Sequence, residues 1–250
     1  MEGAEEIFID KNSRTGILMI HGFSSTPRQF KELSFYLSEK GFNVSAPLIA
    51  GHGTSPEDCR KTCSKDWTKS VMEAYARLKN ISEKVFVVGN SFGSNLGFWL
   101  VKELNNEPAG LVVLGAPIFF RFHNLIKLRL FTYGWFVKFY KKPNRLHKTD
   151  YTDLNDEISY PVLPVKNIKE IMHFLEQETM PNLKKVKTPI LIASASVDPV
   201  IHPKSVKYIC ENVDSDKKEI YWFGSTKHDI VGEGCEGLFD KIYDFIKRNV

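Results

Sequence analysis

The feature that most constrains the fold of this chain is a serine between two glycines, after an apolar run and before a helix-compatible segment. Residues 85–88 form the apolar run, Gly-Asn-Ser-Phe-Gly follows, and residues 94–101 suit a helix. This order is typical of a nucleophile elbow, the sharp turn that lifts a serine clear of a sheet. The turn strains the serine backbone and excludes side chains two positions away, which Gly89 and Gly93 lack. We predict that Ser91 is a nucleophile, because a turn without chemistry would not need a serine at its apex.

Short apolar runs alternate with amphipathic segments along most of the chain. Predicted strands occupy residues 16–20, 42–47, 85–88, 110–117, 188–195 and 218–223. Predicted helices occupy residues 27–41, 67–78 with Asp66 as N-cap, 94–101, 202–213 and 238–246. This alternation predicts an α/β protein with a mostly parallel central sheet flanked by helices. A chain of 250 residues can bury one substantial core, so residues 1–250 are expected to form a single domain.

The alternation breaks over residues 118–186, directly after the strand that follows the elbow. Between Arg121 and Thr149 this insert has no acidic residue, and its basic residues are Arg121, Lys127, Arg129, Lys138, Lys141, Lys142, Arg145 and Lys148. Its aromatic residues are Phe122, Phe131, Tyr133, Trp135, Phe136, Phe139 and Tyr140. Acidic residues return only at Asp150, Asp153, Asp156 and Glu157. We expect a helical lid whose aromatics cap a pocket, and an anionic membrane surface is the alternative contact for its basic face.

Composition excludes several classes of protein. The net charge of +4 is too small to indicate nucleic-acid binding. The acidic N-terminus does not resemble a secretory signal, and no apolar stretch reaches the length of a membrane span, which predicts a cytoplasmic protein. Four irregularly spaced cysteines favour reduced thiols, although pairing of Cys59 with Cys63 stays open. No second cysteine pair or histidine cluster supports a metal site.

A serine nucleophile needs a base within hydrogen-bond reach and a third group that orients the base. In a parallel sheet these groups lie on loops at the carboxyl ends of strands. Asp198 follows the strand at residues 190–193, and His228 follows the last strand, which gives the order Ser, Asp, His. The competitors lie elsewhere: His202 suits a helix cap or pocket rim, and Asp229 adjoins His228 too closely to orient it. We predict that Ser91, Asp198 and His228 act together.

Two more histidines follow predicted strands. His52 lies in the loop Gly-His-Gly and is expected to border the site, whereas His21 is expected to support the glycine turn after residue 20. Acyl transfer also needs two donors for the developing oxyanion, and backbone amides have a direction that is fixed before reaction. We expect these donors to be the amides of Phe92, just after the serine, and Phe23, in the turn after His21.

Together these motifs resemble an α/β-hydrolase-fold serine hydrolase of the bacterial carboxylesterase and monoacylglycerol lipase group. The matching residues are His21 to Phe23, Ser24 to Pro27, Pro47, Gly51 to Gly53, Asp66, Trp67, Gly89 to Gly93, Asp198 and His228. The resemblance covers the chain from about residue 16 onward except the insert. It implies hydrolysis of carboxylic esters through an acyl-serine, without a metal or organic cofactor. One departure is Lys227, where relatives often carry glycine.

The sequence is compatible with more than one class of substrate. A short to medium monoacyl ester or a monoacylglycerol is expected, because the insert, Phe23 and Phe92 predict a mostly apolar acyl pocket. The same groups could attack thioesters, lactones, amides or carbon–carbon bonds next to a carbonyl. A non-catalytic binding module of this fold would be expected to lack one of the three predicted residues. A scaffold role through the basic insert is a further alternative and is compatible with catalysis.

Overall fold

A seven-stranded sheet forms the centre of the computed structural model, which describes residues 1, 3–132, 134, 136–142, 159–225, 227–231 and 235–250. The strands are β1 (Ile7–Ile9), β2 (Thr15–Ile20), β3 (Asn43–Ala46), β4 (Lys84–Asn90), β5 (Gly110–Leu114), β8 (Ile190–Ala195) and β9 (Lys218–Phe223). Their order across the sheet is β1-β3-β2-β4-β5-β8-β9. Only β1 pairs antiparallel with its neighbour, and the other pairs are parallel. This is the α/β-hydrolase fold with the mostly parallel sheet that the alternation predicted.

The register places the carboxyl ends of the central strands side by side. Ile20 pairs with Gly89 across β2 and β4, and Asn90 pairs with Leu114 across β4 and β5. The loops that follow these strands therefore meet at one edge of the sheet. Strand β2 is buried throughout and β4 from its second residue on, which explains why both read as continuous apolar runs.

Helices cover both faces of this sheet. They are α1 (Lys31–Glu39), α2 (Pro56–Lys61), α3 (Ser64–Lys79), α4 (Phe92–Glu103), α5 (His123–Thr132), α6 (Val165–Phe174), α7 (Lys204–Asn212) and α8 (Leu238–Asn249). Apolar side chains of α3, α4, α6 and α7 pack in one core cluster, which contains Trp67 and Leu96. Those of α1 and α8 pack in the other, which contains Leu37 and Phe245. The burial of these faces explains the amphipathic spacing of the helices.

The predicted N-cap of α3 is wrong. The helix begins at Ser64, and its N-cap is Cys63, whose φ of −141° is extended. Asp66 lies in the first turn, where its Oδ2 accepts the Cys63 N–H at 2.9 Å. In a capping box, a carboxylate three residues after the N-cap accepts the backbone N–H of the N-cap residue, as Asp66 does here. The negative charge also lies at the positive end of the helix dipole. Asp66 thus stabilises the helix start from inside the helix.

The structure contains elements that the sequence patterns did not predict. These are β1, α2 and an antiparallel hairpin formed by β6 (Phe139–Lys141) and β7 (Val162–Pro164) within the insert. The insert also contains α5, α6, a π-helix (Leu175–Thr179) and a 3-10 helix (Met180–Lys185). Several residues used in predicting the insert lie outside the described residues, namely Tyr133, Trp135, Arg145, Lys148, Asp150, Asp153, Asp156 and Glu157.

Two further observations bear on the sequence-based expectations. Among the described residues, no helix has the length and apolarity needed to cross a bilayer. Cys59 and Cys63 both carry free thiols and are not bonded to each other. Burial raises the pKa of the Cys59 thiol to about 12, so this cysteine remains protonated and unreactive.

Candidate active site

Ser91 lies at a sharp turn between the end of β4 and the start of α4. Its φ of 51° and ψ of −124° are unusual for a residue with a side chain. An ideal Cβ on Gly89 would lie 2.5 Å from Cα of Ser94, and one on Gly93 would overlap the carbonyl oxygen of Ile20. Only glycine fits either position, because the helix turns back tightly over the strand ends. The strained serine between two necessary glycines matches the geometry expected of a nucleophile elbow.

The three side chains predicted to act together lie in one hydrogen-bonded row. His228 Nε2 is 2.8 Å from Ser91 Oγ, and His228 Nδ1 is 2.7 Å from Asp198 Oδ2. Because a carboxylate only accepts, Nδ1 carries the proton and Nε2 is free to accept the serine proton. The row brings together loops after β4, β8 and β9.

Asp198 is buried and held by the backbone of its own loop. It is 2 % exposed, and its Oδ1 accepts the N–H groups of Val200 at 2.7 Å and Ile201 at 2.8 Å. Burial alone would raise the pKa of this carboxyl. The hydrogen bond and charge of His228, together with the two backbone bonds, outweigh burial and lower the pKa below its ordinary 3.8. Asp198 is therefore an anion at neutral pH.

The pKa of His228 is shifted in the opposite direction to that of Asp198. Burial disfavours its imidazolium, but the hydrogen bond to Asp198 and the negative charges of Asp198 and Asp229 outweigh burial. The pKa of His228 therefore lies above its ordinary 6.5. The ammonium of Lys142 acts in the opposite direction. An imidazole with this environment is a stronger base than a solvent-exposed histidine.

Lys142 lies near the site, directly after β6. Its Nζ donates to Ser24 Oγ at 2.8 Å and to Ser159 Oγ at 3.0 Å. Burial lowers the pKa of its ammonium to about 8. The sequence placed Lys142 only within a basic stretch, because the spacing of lysines does not indicate which of them contacts Ser24 and lies close enough to His228 to affect its pKa.

The competing histidines have other partners. His202 lies one position before Pro203, the N-cap of α7, and its Nδ1 accepts the N–H of Lys204, the first residue of that helix, at 3.1 Å. His21 is buried, donates from Nδ1 to the carbonyl of Gly22 at 2.9 Å and accepts the Ile49 N–H at 3.1 Å. Burial lowers the pKa of His21 to about 3, so this ring is neutral. It supports the glycine turn.

His52 is a second buried, neutral imidazole. Burial lowers its pKa to about 4, and its Nδ1 donates to the carbonyl of Ala50 at 3.1 Å. Its ring packs edge-on against His21 and Phe23, with centroids 5.1 and 5.4 Å apart. His52 therefore lies directly beside the turn that contains Phe23.

The two residues expected to supply oxyanion donors lie in two turns that meet at Ser91. Phe92 follows Ser91 as the first residue of α4, where the helix leaves its N–H groups without intrahelical partners. Phe23 follows Gly22, and an ideal Cβ on Gly22 would lie 3.3 Å from Cβ of Ser91. Both phenyl rings pack against Trp67, with centroids 5.8 and 5.5 Å away. The role of the two amides stays a prediction.

The remaining polar groups at this edge were missed by sequence reasoning. The side chain of Gln29 connects Gly22 with Asp229, and Arg121 Nε donates to the carbonyl of Asp198. A short 3-10 helix, Pro27–Phe30, carries Gln29. In the sequence Gln29 is one polar residue between Arg28 and Phe30, in a segment that predicts a helix. That signal does not identify the residue's partners.

The sheet, the elbow and the Ser91–His228–Asp198 row define the chain as a serine hydrolase with the α/β-hydrolase fold. A family model described as serine aminopeptidase, S33 (Hydrolase_4), matches residues 11–234, and the chain belongs to this family. It is 28% identical over 232 residues to a thermostable monoacylglycerol lipase from Bacillus sp. strain H-257, covering 91% of this chain and 88% of the relative. It is 24% identical over 246 residues to a carboxylesterase from Bacillus subtilis strain 168, covering 96% of each.

Solved structures are similar over nearly the whole chain. The structure described under LipS and LipT, two metagenome-derived lipolytic enzymes, superposes with a TM-score of 0.88 at 25% identity and covers 99% of both chains. A monoacylglycerol lipase from Paleococcus ferrophilus superposes with a TM-score of 0.81 at 18% identity over 98% of both chains, which shows the common fold. The chain is thus similar to serine hydrolases of the lipase and esterase type.

Proposed function

We propose that this protein hydrolyses carboxylic esters through an acyl-enzyme on Ser91. The observation that carries the proposal is the continuous row from Ser91 Oγ through His228 to the buried Asp198 carboxylate. This row joins a nucleophile, a base and an orienting anion, the combination that acyl transfer needs.

Each step of the proposed reaction uses groups at this edge of the sheet. His228 Nε2 takes the hydroxyl proton as Ser91 Oγ bonds to the carbonyl carbon, and Asp198 stabilises the resulting imidazolium. The amides of Phe23 and Phe92 hold the oxyanion. The alcohol leaves with the proton from His228. Water then attacks the acyl-serine as His228 takes one of its protons, and the bond to Ser91 Oγ breaks as His228 returns that proton to the serine, which releases the carboxylic acid. These steps use side chains, backbone amides and water alone, as the resemblance implies.

We propose short to medium monoacyl esters, with monoacylglycerol as the more lipid-like possibility, as substrates. The aromatic rings of Phe23, Trp67, Phe92 and Phe174 pack in series, and Phe92 is the residue after Ser91, which supports an apolar acyl site. Relatives named monoacylglycerol lipase and carboxylesterase support the same class. Each buried methylene contributes up to about 0.8 kcal/mol, or roughly fourfold in kcat/KM, until the site is filled.

The insert is proposed to act as a lid that contacts lipid surfaces. In its described part, apolar side chains that are exposed to solvent alternate with cations. Phe122, Leu128 and Phe136 are 56%, 58% and 88% exposed, and Arg121, Arg129, Lys138 and Lys141 lie among them. Aromatic and basic side chains together suit the interface of an anionic membrane.

Amide hydrolysis is the second candidate. The matching family model is described as serine aminopeptidase, and an amide carbonyl can be attacked by the same three groups. Cleavage of an amide makes a stronger demand on His228, which must protonate a poor leaving group. Matched p-nitrophenyl esters and p-nitroanilides of one acyl group separate the candidates, and we expect kcat/KM to be higher for the ester.

The test of the proposed function is Ser91→Ala. We expect this variant to fold and to lose about ten-thousandfold or more in kcat on p-nitrophenyl esters, because the nucleophile acts with His228 and Asp198 as one unit. A fluorophosphonate probe should label the native protein and not the variant. Retention of more than about a tenth of the native rate, or no labelling of the native protein, contradicts the proposal.

A further inference from the structure

One buried glutamine connects the loops around Ser91. Gln29 is 7% exposed, its Oε1 accepts the Gly22 N–H at 3.1 Å, and its Nε2 donates to Asp229 Oδ2 at 2.7 Å. A backbone N–H can only donate and a carboxylate can only accept, so these partners fix the orientation of the amide. The bond to the carboxylate is charge-assisted and short.

Both partners of Gln29 adjoin proposed reacting groups. Gly22 precedes Phe23, whose amide is the proposed oxyanion donor, and Asp229 follows His228. The other carboxylate oxygen of Asp229 accepts Asn90 Nδ2 at 3.4 Å and the Val231 N–H at 3.3 Å. Asn90 precedes Ser91, so a single network contacts the neighbours of the nucleophile, the base and the oxyanion donor.

We infer that Gln29 and Asp229 are positioning residues that fix the oxyanion turn relative to the imidazole loop. They join segments 200 residues apart in sequence without touching the reacting atoms. An error of about 1 Å in such groups can cost about a hundredfold in rate, because transition-state contacts need accurate distances. This inference rests on the proposed serine-hydrolase mechanism.

The pair offers a test in which donor and acceptor are exchanged. In Gln29→Glu the new carboxylate faces the carboxylate of Asp229. In Asp229→Asn the new amide has two orientations: in one its nitrogen faces the nitrogen of Gln29, and in the other its nitrogen faces the Val231 N–H, which then has no acceptor. The double variant Gln29→Glu/Asp229→Asn restores the contact, since the new amide at position 229 would donate to the new carboxylate at position 29 and still accept from Val231. We expect each single variant to lose about ten- to hundredfold in kcat with KM within about twofold, and the double variant to recover to within about threefold of the native kcat.

Rates are counted per active site titrated with the fluorophosphonate. Thr188→Val is the matched control, because it removes a buried hydrogen bond to the Pro108 carbonyl. Thr188 and Pro108 lie just before β8 and β5, at the amino ends of these parallel strands and so at the opposite edge of the sheet from the loops around Ser91. This control should lower the melting temperature and leave kcat per titrated site unchanged. If Gln29→Glu does not fold, the nearly isosteric Gln29→Met removes the same two bonds and should show the same loss of kcat.

The acid limb of the kcat/KM profile supplies a second readout. The charge of Asp229 raises the pKa of His228, so Asp229→Asn should move this limb to lower pH. Native-like kcat in the single variants, or a double variant as impaired as its parents, overturns the inference. If only this inference fails, the native protein still reacts with the fluorophosphonate and still hydrolyses esters. If the proposed function fails, the native protein shows neither the labelling nor the hydrolysis.

Discussion

At the residue scale, the charge of Asp198 decides at which pH His228 acts as a base. The imidazole must be neutral to accept the Ser91 proton, and its pKa lies above the ordinary 6.5 because the Asp198 bond and charge outweigh burial. We therefore expect kcat/KM of the native protein to fall on the acid side with a midpoint above 6.5.

Asp198→Asn should move that acid midpoint to lower pH and reduce kcat by up to about ten-thousandfold, because the anion that stabilises the imidazolium and selects its tautomer is removed. The measurement is kcat/KM between about pH 5 and pH 9 on an ester that does not ionise in this range. An unchanged midpoint would show that another group sets the pKa of the base.

The same pair links stability to pH. The raised pKa of His228 contributes stability below the unfolded value, and this contribution is lost as pH rises through the folded pKa. The lowered pKa of Asp198 contributes stability above the unfolded value, and this contribution is lost as pH falls through the folded pKa. Both contributions are present between the ordinary values of 3.8 and 6.5.

Asp198→Asn should therefore destabilise the protein more at about pH 5.5 than at about pH 8.5. Urea unfolding of the native protein and the variant at the two pH values gives the difference in the free energy of unfolding. The same difference at both pH values would mean that Asp198 stabilises the fold through its bonds to Val200 and Ile201 alone.

At the element scale, the turn between β4 and α4 depends on two glycines. Gly93→Ala would drive a methyl group into the carbonyl oxygen of Ile20, and backbone cannot move aside as a flexible side chain does. We expect the free energy of unfolding to fall by about 3 kcal/mol or more, because the added methyl group overpacks against backbone atoms that cannot move away.

The matched control is Gly224→Ala, where an ideal Cβ has no heavy atom within 4 Å. This variant should change the free energy of unfolding by less than about 0.5 kcal/mol. Denaturant unfolding of the two variants measures both values. Equal stabilities would show that α4 can shift on the sheet and that the turn is not fixed by glycine.

At the scale of the whole molecule, the insert is expected to determine the response to lipid surfaces. Anionic vesicles should raise activity on a long-chain ester, and salt should reduce the effect by screening the basic residues. Phe122→Ser/Phe136→Ser should weaken the response and leave hydrolysis of a short soluble ester unchanged, because both side chains are exposed.

Phe35→Ser is the control, since Phe35 is 54% exposed on α1, outside the insert. Rates with phosphatidylglycerol vesicles at low and high salt, for esters of increasing chain length, make the comparison. A flat chain-length profile with no response to vesicles would contradict both the apolar acyl site and the surface contact.

The cytoplasmic location stays a prediction.

The sequence by itself determined the six parallel strands of the central sheet, in their order along the chain, and the turn at Ser91. Buried parallel strands read as apolar runs, and the steric demand for Gly89 and Gly93 is local, so both appear in the pattern of residues. Asp198 and His228 could be selected because parallel strands bring the loops at their carboxyl ends to one edge. Asp66 was placed wrongly as N-cap because a cysteine at the preceding cap position is not a recognised signal.

Only the tertiary structure decided which polar groups meet across those loops. Gln29 and Asp229 are 200 residues apart, and Lys142 reaches Ser24 across 118 residues, so neither contact leaves a periodic pattern. The shifts in the pKa of His21, His52 and His228 likewise depend on burial and on neighbouring charges. Local sequence determines backbone conformation and which faces are apolar, whereas hydrogen-bond partners and electrostatic environment are properties of the packed fold.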